Sequence, residues 1–452
     1  MQALISSQPN IIIIFNDDQG YQDLGVYGSP DIKTPRVDQL AAEGIRFTDF
    51  YVASPVCSAS RAALLTGKYP LSVGVPGVFF PNRGVKGLSP EHTTIAEVLK
   101  SAGYATKAVG KWHLGDEKQF LPTNQGFDSY YGIPYSNDMF PAKSMEYADD
   151  CLFLEGYSKA KLDELFVSGD LRKGSPRETK DKVPLMRDEQ CIEFPADQRT
   201  ITQRFATEGM RFISDSVEAE KPFFLYLANS MPHTPLYVTP EFEGKSARGL
   251  YGDVIEEIDY NTGRIIDHLD SLGIAENTIV IFSSDNGPWL IKKEDGGSAL
   301  PLFEGKMTHF EGGQRVPAIV RWPAKIPAGI VSSEIATSMD LFPTLAAFAG
   351  AEIPAGLDLH GKDIANLLLN EPGAKTPHEY FYYGTLAVRS GDWKYHQKEL
   401  FKVALDRKKT SKGPTLYNLK DDIGETTNLI DQYPEIAARL KAALAKSPNR
   451  RK

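Results

Sequence analysis

Residues Asn10–Gly20, NIIIIFNDDQG, decide how the fold is read. Four isoleucines and a phenylalanine in a row leave no polar face. Asn10–Phe15 therefore predicts a strand covered on both sides, as in the interior of an α/β sheet. The run stops at Asn16-Asp17-Asp18-Gln19-Gly20. Two adjacent carboxylates at the C-terminal end of a buried strand suit a hard cation better than a core. On this stretch alone, a solvated turn would look the same.

The pattern returns three times. Tyr104–Gly110 runs into Lys111-Trp112-His113, Lys221–Ala228 runs into Asn229 through His233, and Thr278–Phe282 runs into Ser283-Ser284-Asp285-Asn286-Gly287. Helical segments separate these strands. One lies within Asp31–Phe47, and a second, Thr93–Gly103, ends on a glycine stop. A third, Tyr251–Leu272, puts Val254, Ile258, Ile265, Ile266 and Leu269 on one buried face. In open α/β sheets, sites form beyond the carboxyl ends of the strands. Asp17, Asp18, Lys111, His113, His233, Asp285 and Asn286 are thus expected on one rim, the alternative being four unrelated solvated loops.

The chain of 452 residues is long enough for a large domain and a smaller one. The division expected is 1–355 for the first and 356–452 for the second. The last hundred residues read as short antiparallel strands around Tyr380–Tyr383, Ala387–Ser390, Trp393–Tyr395 and Thr415–Asn418, closed by a helix from Pro434 to Lys446. Residues 141–199 read as an insertion over the site, with Ser168–Asp188 a mobile loop. A formal net charge of −9 argues against a nucleic-acid partner and requires any anion affinity to be local. The longest purely aliphatic run, Ile11–Ile14, is far too short to span a membrane. Met1–Pro9 lacks the marks of a signal peptide. Of three cysteines, Cys151 and Cys191 either pair in an oxidising compartment or remain separate thiols.

The remaining cysteine sits in Ser54–Pro70, SPVCSASRAALLTGKYP. Arg61 follows Cys57 by four residues, and AALL then reads as the first turns of a helix. A helix N-terminus offers free N–H groups and partial positive charge to an anion. The sequence CSASR followed by AALLTG resembles the signature of the type I, formylglycine-dependent sulfatases. Their arylsulfatase A-like branch belongs to the alkaline phosphatase superfamily, and the resemblance runs from Asn10 to Leu429. It implies an alkaline-phosphatase-like α/β fold: a large, mixed, mostly parallel sheet flanked by helices, plus a smaller C-terminal antiparallel sheet with a packed helix. In that family the cysteine is oxidised to formylglycine, whose hydrate is the nucleophile. Ala59 stands where proline is commoner, and the alanine form goes with the anaerobic type of maturation enzyme.

Asp17, Asp18, Asp285 and Asn286 offer only oxygen ligands, which favours Ca²⁺ or Mg²⁺ over zinc or copper; the resemblance puts Ca²⁺ first and Mg²⁺ second. The resemblance assigns these four, with residue 57, to calcium. It further implies that Asp285 helps deprotonate the attacking hydroxyl, and that His233 and Lys306 contact the bridging oxygen. By the same resemblance His113 takes the proton that regenerates the aldehyde, Arg61 and Lys111 hold hydrate and sulfate, and Ser136 touches sulfate. Each residue also has an ordinary reading: structural histidines, a loop lysine, a turn-capping serine. The activity expected is sulfuric ester hydrolysis on a sulfated oligo- or polysaccharide, in the periplasm or outside the cell. Alternatives are small aryl sulfates, phosphate or phosphonate esters, and binding of sulfated ligands without turnover if Cys57 stays a thiol. Lys182 and Arg187 are candidate contacts for a second sulfate or carboxylate, a solvated loop face being the alternative.

Overall fold

A computed structural model describes residues 8–172, 174–398 and 413–449, so the Met1–Pro9 reading lies almost wholly outside the described residues. Eleven strands form the main sheet. Across it the order is Ile330–Ser332, Ile45–Phe47, Ala318–Arg321, Thr278–Ser284, Asn10–Asn16, Phe223–Ala228, Ala105–Lys111, Ser129–Ile133, Leu185–Arg187, Gln190–Phe194 and Glu146–Phe153. The four apolar strands read from sequence are immediate neighbours at its centre. Together with Ser129–Ile133 they run parallel. Ile11 to Ile14 are fully buried because helices cover both faces. Parallel pairing sends the carboxyl end of each of these strands to the same edge of the sheet.

The helices follow from local chemistry. Thr94 and Glu97 form a capping box that starts Ile95–Ser101: the Glu97 amide donates to Thr94 Oγ1 at 3.3 Å, and the Thr94 amide to Glu97 Oε2 at 2.7 Å. Leu250–Ser271 buries the face carrying Val254, Ile258, Ile265 and Leu269. The sequence reading passes over Ile201–Glu218, which buries Ile201, Phe205, Phe212 and Ile213 against the same layer. The signature helix begins at Cys57 itself and ends at Thr66, earlier than AALL alone indicates.

Residues 141–199 depart from their reading as an irregular cover. Glu146–Phe153, Leu185–Arg187 and Gln190–Phe194 extend the main sheet, and Lys159–Ser168 is a helix. Ser168–Asp188 contains the short strand pair Leu171–Arg172 and Ser175–Pro176 as well as Leu185–Arg187. Charges hid these strands: Glu146, Asp149 and Asp150 mark an exposed edge, where carboxylates are tolerated because one side stays in water. The second sheet is antiparallel, in the order Phe381–Tyr383, Ala387–Ser390, Trp393–His396, Thr415–Asn418. Val388, Tyr395 and Leu416 pack on Ala437, Leu440 and Leu444 of the helix Pro434–Leu444. Among the described residues, no helix is long and apolar enough to cross a membrane.

Candidate active site

The rim is assembled by strand ends. The Asp17 amide donates to the Met231 carbonyl at 3.3 Å and the Asp285 amide to the Asn16 carbonyl at 2.9 Å, which ties three strand exits together. Asp18 takes a left-handed backbone, φ 66°, and its amide donates to Asp285 Oδ1 at 3.2 Å. Cys57 opens its buried helix with Sγ 3.6 Å from Asp17 Oδ1. Ligand atoms of Asp17, Asp18, Asp285 and Cys57 all lie within 4.8 Å of one another. Asn286 completes the group. Its Nδ2 donates to Asp18 Oδ1 at 2.7 Å and to the Gly287 carbonyl at 2.9 Å. Its Oδ1 is buried with no partner. Crowded carboxylates beside an orphaned amide oxygen are the donor set of a hard dication, so these residues fit calcium or magnesium.

Three cations ring the carboxylates. Lys111 Nζ bonds Asp17 Oδ2, and Lys306 Nζ lies 2.7 and 2.8 Å from the two oxygens of Asp18. Arg61 Nε donates to Asp285 Oδ2 at 3.0 Å while Nη1 donates to the Lys111 carbonyl at 3.0 Å. Burial would raise Asp17, yet Lys111, His233, Arg61 and Lys306 together hold it far below the ordinary carboxylate range. Asp285 goes the other way, pushed up to about 7 by burial and by the neighbouring Asp17 charge. Burial also raises the Cys57 thiol to about 12, against the pull of Lys111 and Lys306. An unmodified Cys57 is therefore a poor nucleophile here.

The two histidines have assignable tautomers. His113 Nε2 lies 3.1 Å from the Phe79 carbonyl, which can only accept, so Nε2 carries the proton. Nδ1 is then a bare lone pair, buried and without a partner. Burial, followed by Lys111 and Arg61, drives the His113 pKa well down, which keeps the ring neutral. His233 Nδ1 lies 2.7 Å from the Thr234 carbonyl and so holds its proton there, leaving Nε2 facing Asp18 Oδ2 at 3.7 Å. Burial and then Lys306 lower the His233 pKa.

Ser136 Oγ is 3.3 Å from His233 Nδ1, which places this serine behind the histidine. Two residues that sequence reasoning passed over also hold the site. Asn137 Nδ2 donates to the carbonyls of His233 and Pro235 at 3.0 and 2.9 Å, fixing the loop that carries His233. Trp289 packs on His233, ring centroids 5.2 Å apart, and under Lys306 Nζ at 4.5 Å. Only adjacency to Ser136 and to the Asp285-Asn286-Gly287 turn marked them in the sequence. Lys182 and Arg187 are engaged elsewhere: Lys182 by Glu155, and Arg187 by Glu208 at 3.1 Å and the face of Tyr131. Cys151 and Cys191 are thiols with Sγ atoms 4.0 Å apart.

Comparison with known proteins places this geometry. A family model described as Sulfatase matches residues 9–351, and one described as N-sulphoglucosamine sulphohydrolase, C-terminal, matches residues 301–450. Arylsulfatase A of Bos taurus is 39% identical over 455 residues, covering 96% of this chain and 85% of that protein. N-acetylgalactosamine-6-sulfatase of Canis lupus familiaris is 38% identical over 408 residues, covering 86% and 71%. Among solved structures, Ps i-CgsB in complex with k-i-k-neocarrahexaose superposes with a TM-score of 0.78 at 31% identity, covering 98% of this chain and 94% of that one.

Proposed function

This chain belongs to the sulfatase family and is a sulfuric ester hydrolase; from that premise we propose that it removes sulfate from a sulfated oligo- or polysaccharide, using formylglycine at position 57 and a bound Ca²⁺. The observation that carries the reading is the setting of Cys57. It opens a buried helix beside three crowded carboxylates and an open amide oxygen, with Arg61, Lys111 and Lys306 around them. The relatives support a sugar substrate: one is named for N-acetylgalactosamine 6-sulfate hydrolysis and another was solved with a neocarrahexaose.

A sulfate ester is a weakly electrophilic anion, so its hydrolysis needs charge neutralisation, a nucleophile and a proton for the leaving alcohol. Calcium held by Asp17, Asp18, Asp285 and Asn286 would supply Lewis-acid polarisation and a template. Residue 57, converted by an anaerobic-type maturation enzyme, supplies the hydroxyl that attacks sulfur. Asp285 accepts that hydroxyl's proton. Arg61 and Lys111 hold charge at the nucleophile's end of the sulfate. His233, with Nδ1–H anchored to Thr234, donates from its cationic form, which the Asp18 and Asp17 carboxylates favour: the second proton, on Nε2, passes to the leaving oxygen beside Lys306. The bare Nδ1 of neutral His113 is placed to take the proton of the second hydroxyl at residue 57, so that the O–S bond to residue 57 breaks, sulfate leaves and the aldehyde returns. The same reading puts the enzyme in the periplasm or outside the cell, where sulfated polymers are met.

The test is release of inorganic sulfate by protein co-produced with an anaerobic-type maturation enzyme and supplied with calcium. Substrates are an aryl sulfate, the matched aryl phosphate, glycosaminoglycan fragments and sulfated galactan oligosaccharides. Sulfate release from one sugar class is expected. It should be abolished by Cys57→Ala or by a chelator, and restored by Ca²⁺ better than by Mg²⁺. Faster turnover of the phosphate, or binding of sulfated sugars without turnover by protein whose residue 57 is shown by mass to be formylglycine, overturns the reading.

A further inference from the structure

A cavity of about 700 Å³ opens beside the site between the loop 74–89 and the turn at Phe120. Its walls are Val78, Phe79, Phe80 and Phe120, and its charged lining is Arg83 and Lys86 with no acid. That size accommodates a sugar unit or two. Aromatic walls pack against the apolar C–H faces of sugar rings, while the two cations favour anionic substituents. In a chain of net charge −9, this is a local reversal of sign.

The cavity is built into the catalytic machinery. Phe79 lines it, while its carbonyl receives His113 Nε2 at 3.1 Å and its amide donates to Ser58 Oγ at 3.1 Å, next to Cys57. Phe80 borders it and also a smaller cleft that includes Asp138, Phe140, Arg177 and Lys180. Asp138 directly follows Asn137, which fixes the His233 loop. Phe80 thus separates the cavity from a cleft whose Asp138 neighbours, in sequence, the residue that fixes the His233 loop.

Charge pairing separates these two cations from the others that sequence pointed to. Lys182 and Arg187 are neutralised by Glu155 and Glu208, and Arg177 and Lys180 stand by Asp170 and Asp181. Arg83 and Lys86 have no ion-pair partner among the described residues, and both are exposed. Two cations that line a cavity with aromatic walls, and that have no acid partner among the described residues, leave the anion to the ligand.

We propose that this cavity is a second subsite, which binds the sugar units next to the hydrolysed sulfate through a further sulfate or carboxylate held by Arg83 and Lys86. The proposal rests on the sugar-sulfatase reading, and it names the substrate as a polyanionic oligosaccharide carrying charge on neighbouring units, not a singly sulfated monosaccharide.

Two variants test it. R83A combined with K86A removes the charge. Gly77→Trp fills the space: Gly77 lines the cavity outside the left-handed region, and a Cβ there meets nothing within 4 Å. Binding is measured on the Cys57→Ala background, so no turnover is needed. The probes are a sulfated galactan hexasaccharide and the same chain after desulfation. The expected result is an affinity for the sulfated chain weakened about 10-fold by either variant, with the charge variant's loss shrinking as salt rises. On the matured enzyme, KM for the hexasaccharide rises while kcat/KM on a small aryl sulfate stays within about 2-fold. Unchanged hexasaccharide affinity in both variants overturns the subsite, as does equal loss on the aryl sulfate. Failure of the sugar-sulfatase reading shows separately, as absence of sulfate release by the matured parent enzyme.

Discussion

Two buried clusters of charge draw on the same residue types and are wired in opposite ways. At the rim, Asp17, Asp18 and Asp285 crowd within 4.8 Å of one another, and Asn286 Oδ1 and His113 Nδ1 are left open. At the junction with the small sheet, the Glu311 carboxylate is enclosed by donors. Tyr51 and Tyr383 hydroxyls reach it at 2.6 and 2.5 Å, Lys394 at 2.9 Å and Arg315 at 3.4 Å. Glu425, alongside, accepts from Lys394 at 2.9 Å and from the Glu311 amide at 2.7 Å. The titration behaviour follows. Asp285 is pushed up to about 7 by burial and a like charge, whereas Lys394, Arg389 and Arg315 overcome burial and hold Glu311 far down. An acid surrounded by cations holds a fold together; acids set against each other, with open atoms among them, wait for an ion and a substrate.

Neutralising one acid in each cluster separates the two roles. Asp285→Asn is expected to cut sulfate release about 10³-fold, because it removes a metal ligand and the proton acceptor together. Its thermal midpoint should fall less than that of Glu311→Gln: the buried Arg61 loses its carboxylate partner, but burial and the Asp17 charge already disfavour ionised Asp285. Glu311→Gln is expected to do the reverse. It leaves Lys394, Arg389 and Arg315 short of a buried counter-charge, costing about 3–5 kcal/mol in denaturant titration. The comparison breaks if both variants lose stability equally.

Within the rim, His233→Gln sharpens the assignment of the proton donor. It should lower kcat about 10²-fold on a sugar sulfate, whose alcohol needs the proton, and less than 10-fold on a nitrophenyl sulfate, which leaves unaided. Equal loss on both would remove His233 from that role.

The smallest effect lies beside the second cluster. His309 Nδ1 is 2.7 Å from Gln314 Oε1, and burial carries its pKa down to about 4 against the help of that hydrogen bond. Its folded pKa is below the unfolded value of about 6.5. The neutral ring therefore contributes stability that is complete above pH 6.5 and is lost as pH falls toward 4. The Glu311 carboxylate, also held low, adds loss at more acid pH. Thermal midpoints across that range should fall for the parent and less steeply between 6.5 and 4 for His309→Gln.

The fold's centre was legible because the runs at Asn10, Lys221 and Thr278 are apolar on both faces, as a doubly covered strand requires; Tyr104–Gly110 is interrupted by Thr106 and Lys107, whose ammonium Glu208 answers at 2.7 Å. Their polar exits, with Cys57 and Arg61, named the rim group. Lys306 required the family resemblance, because a lysine in a glycine-rich loop has no local mark. Asn137 and Trp289 act through contacts to His233 across 96 and 56 positions, and nothing in their neighbourhoods encodes that. The strands of 146–194 were missed since an exposed edge lets charge interrupt the alternation that identifies a strand.

The sequence by itself determined the strand exits, the chemistry of the ligand set and the helix that presents residue 57, all of which follow from short-range pattern. Tertiary structure alone decided which charges are answered. Arg187 and Arg83 read alike in one dimension. Only the packed chain gives Arg187 the Glu208 carboxylate and sets Arg83 at a cavity lined by Phe79, Phe80 and Phe120. Electrostatic pairing depends on distance in space, which sequence separation does not report.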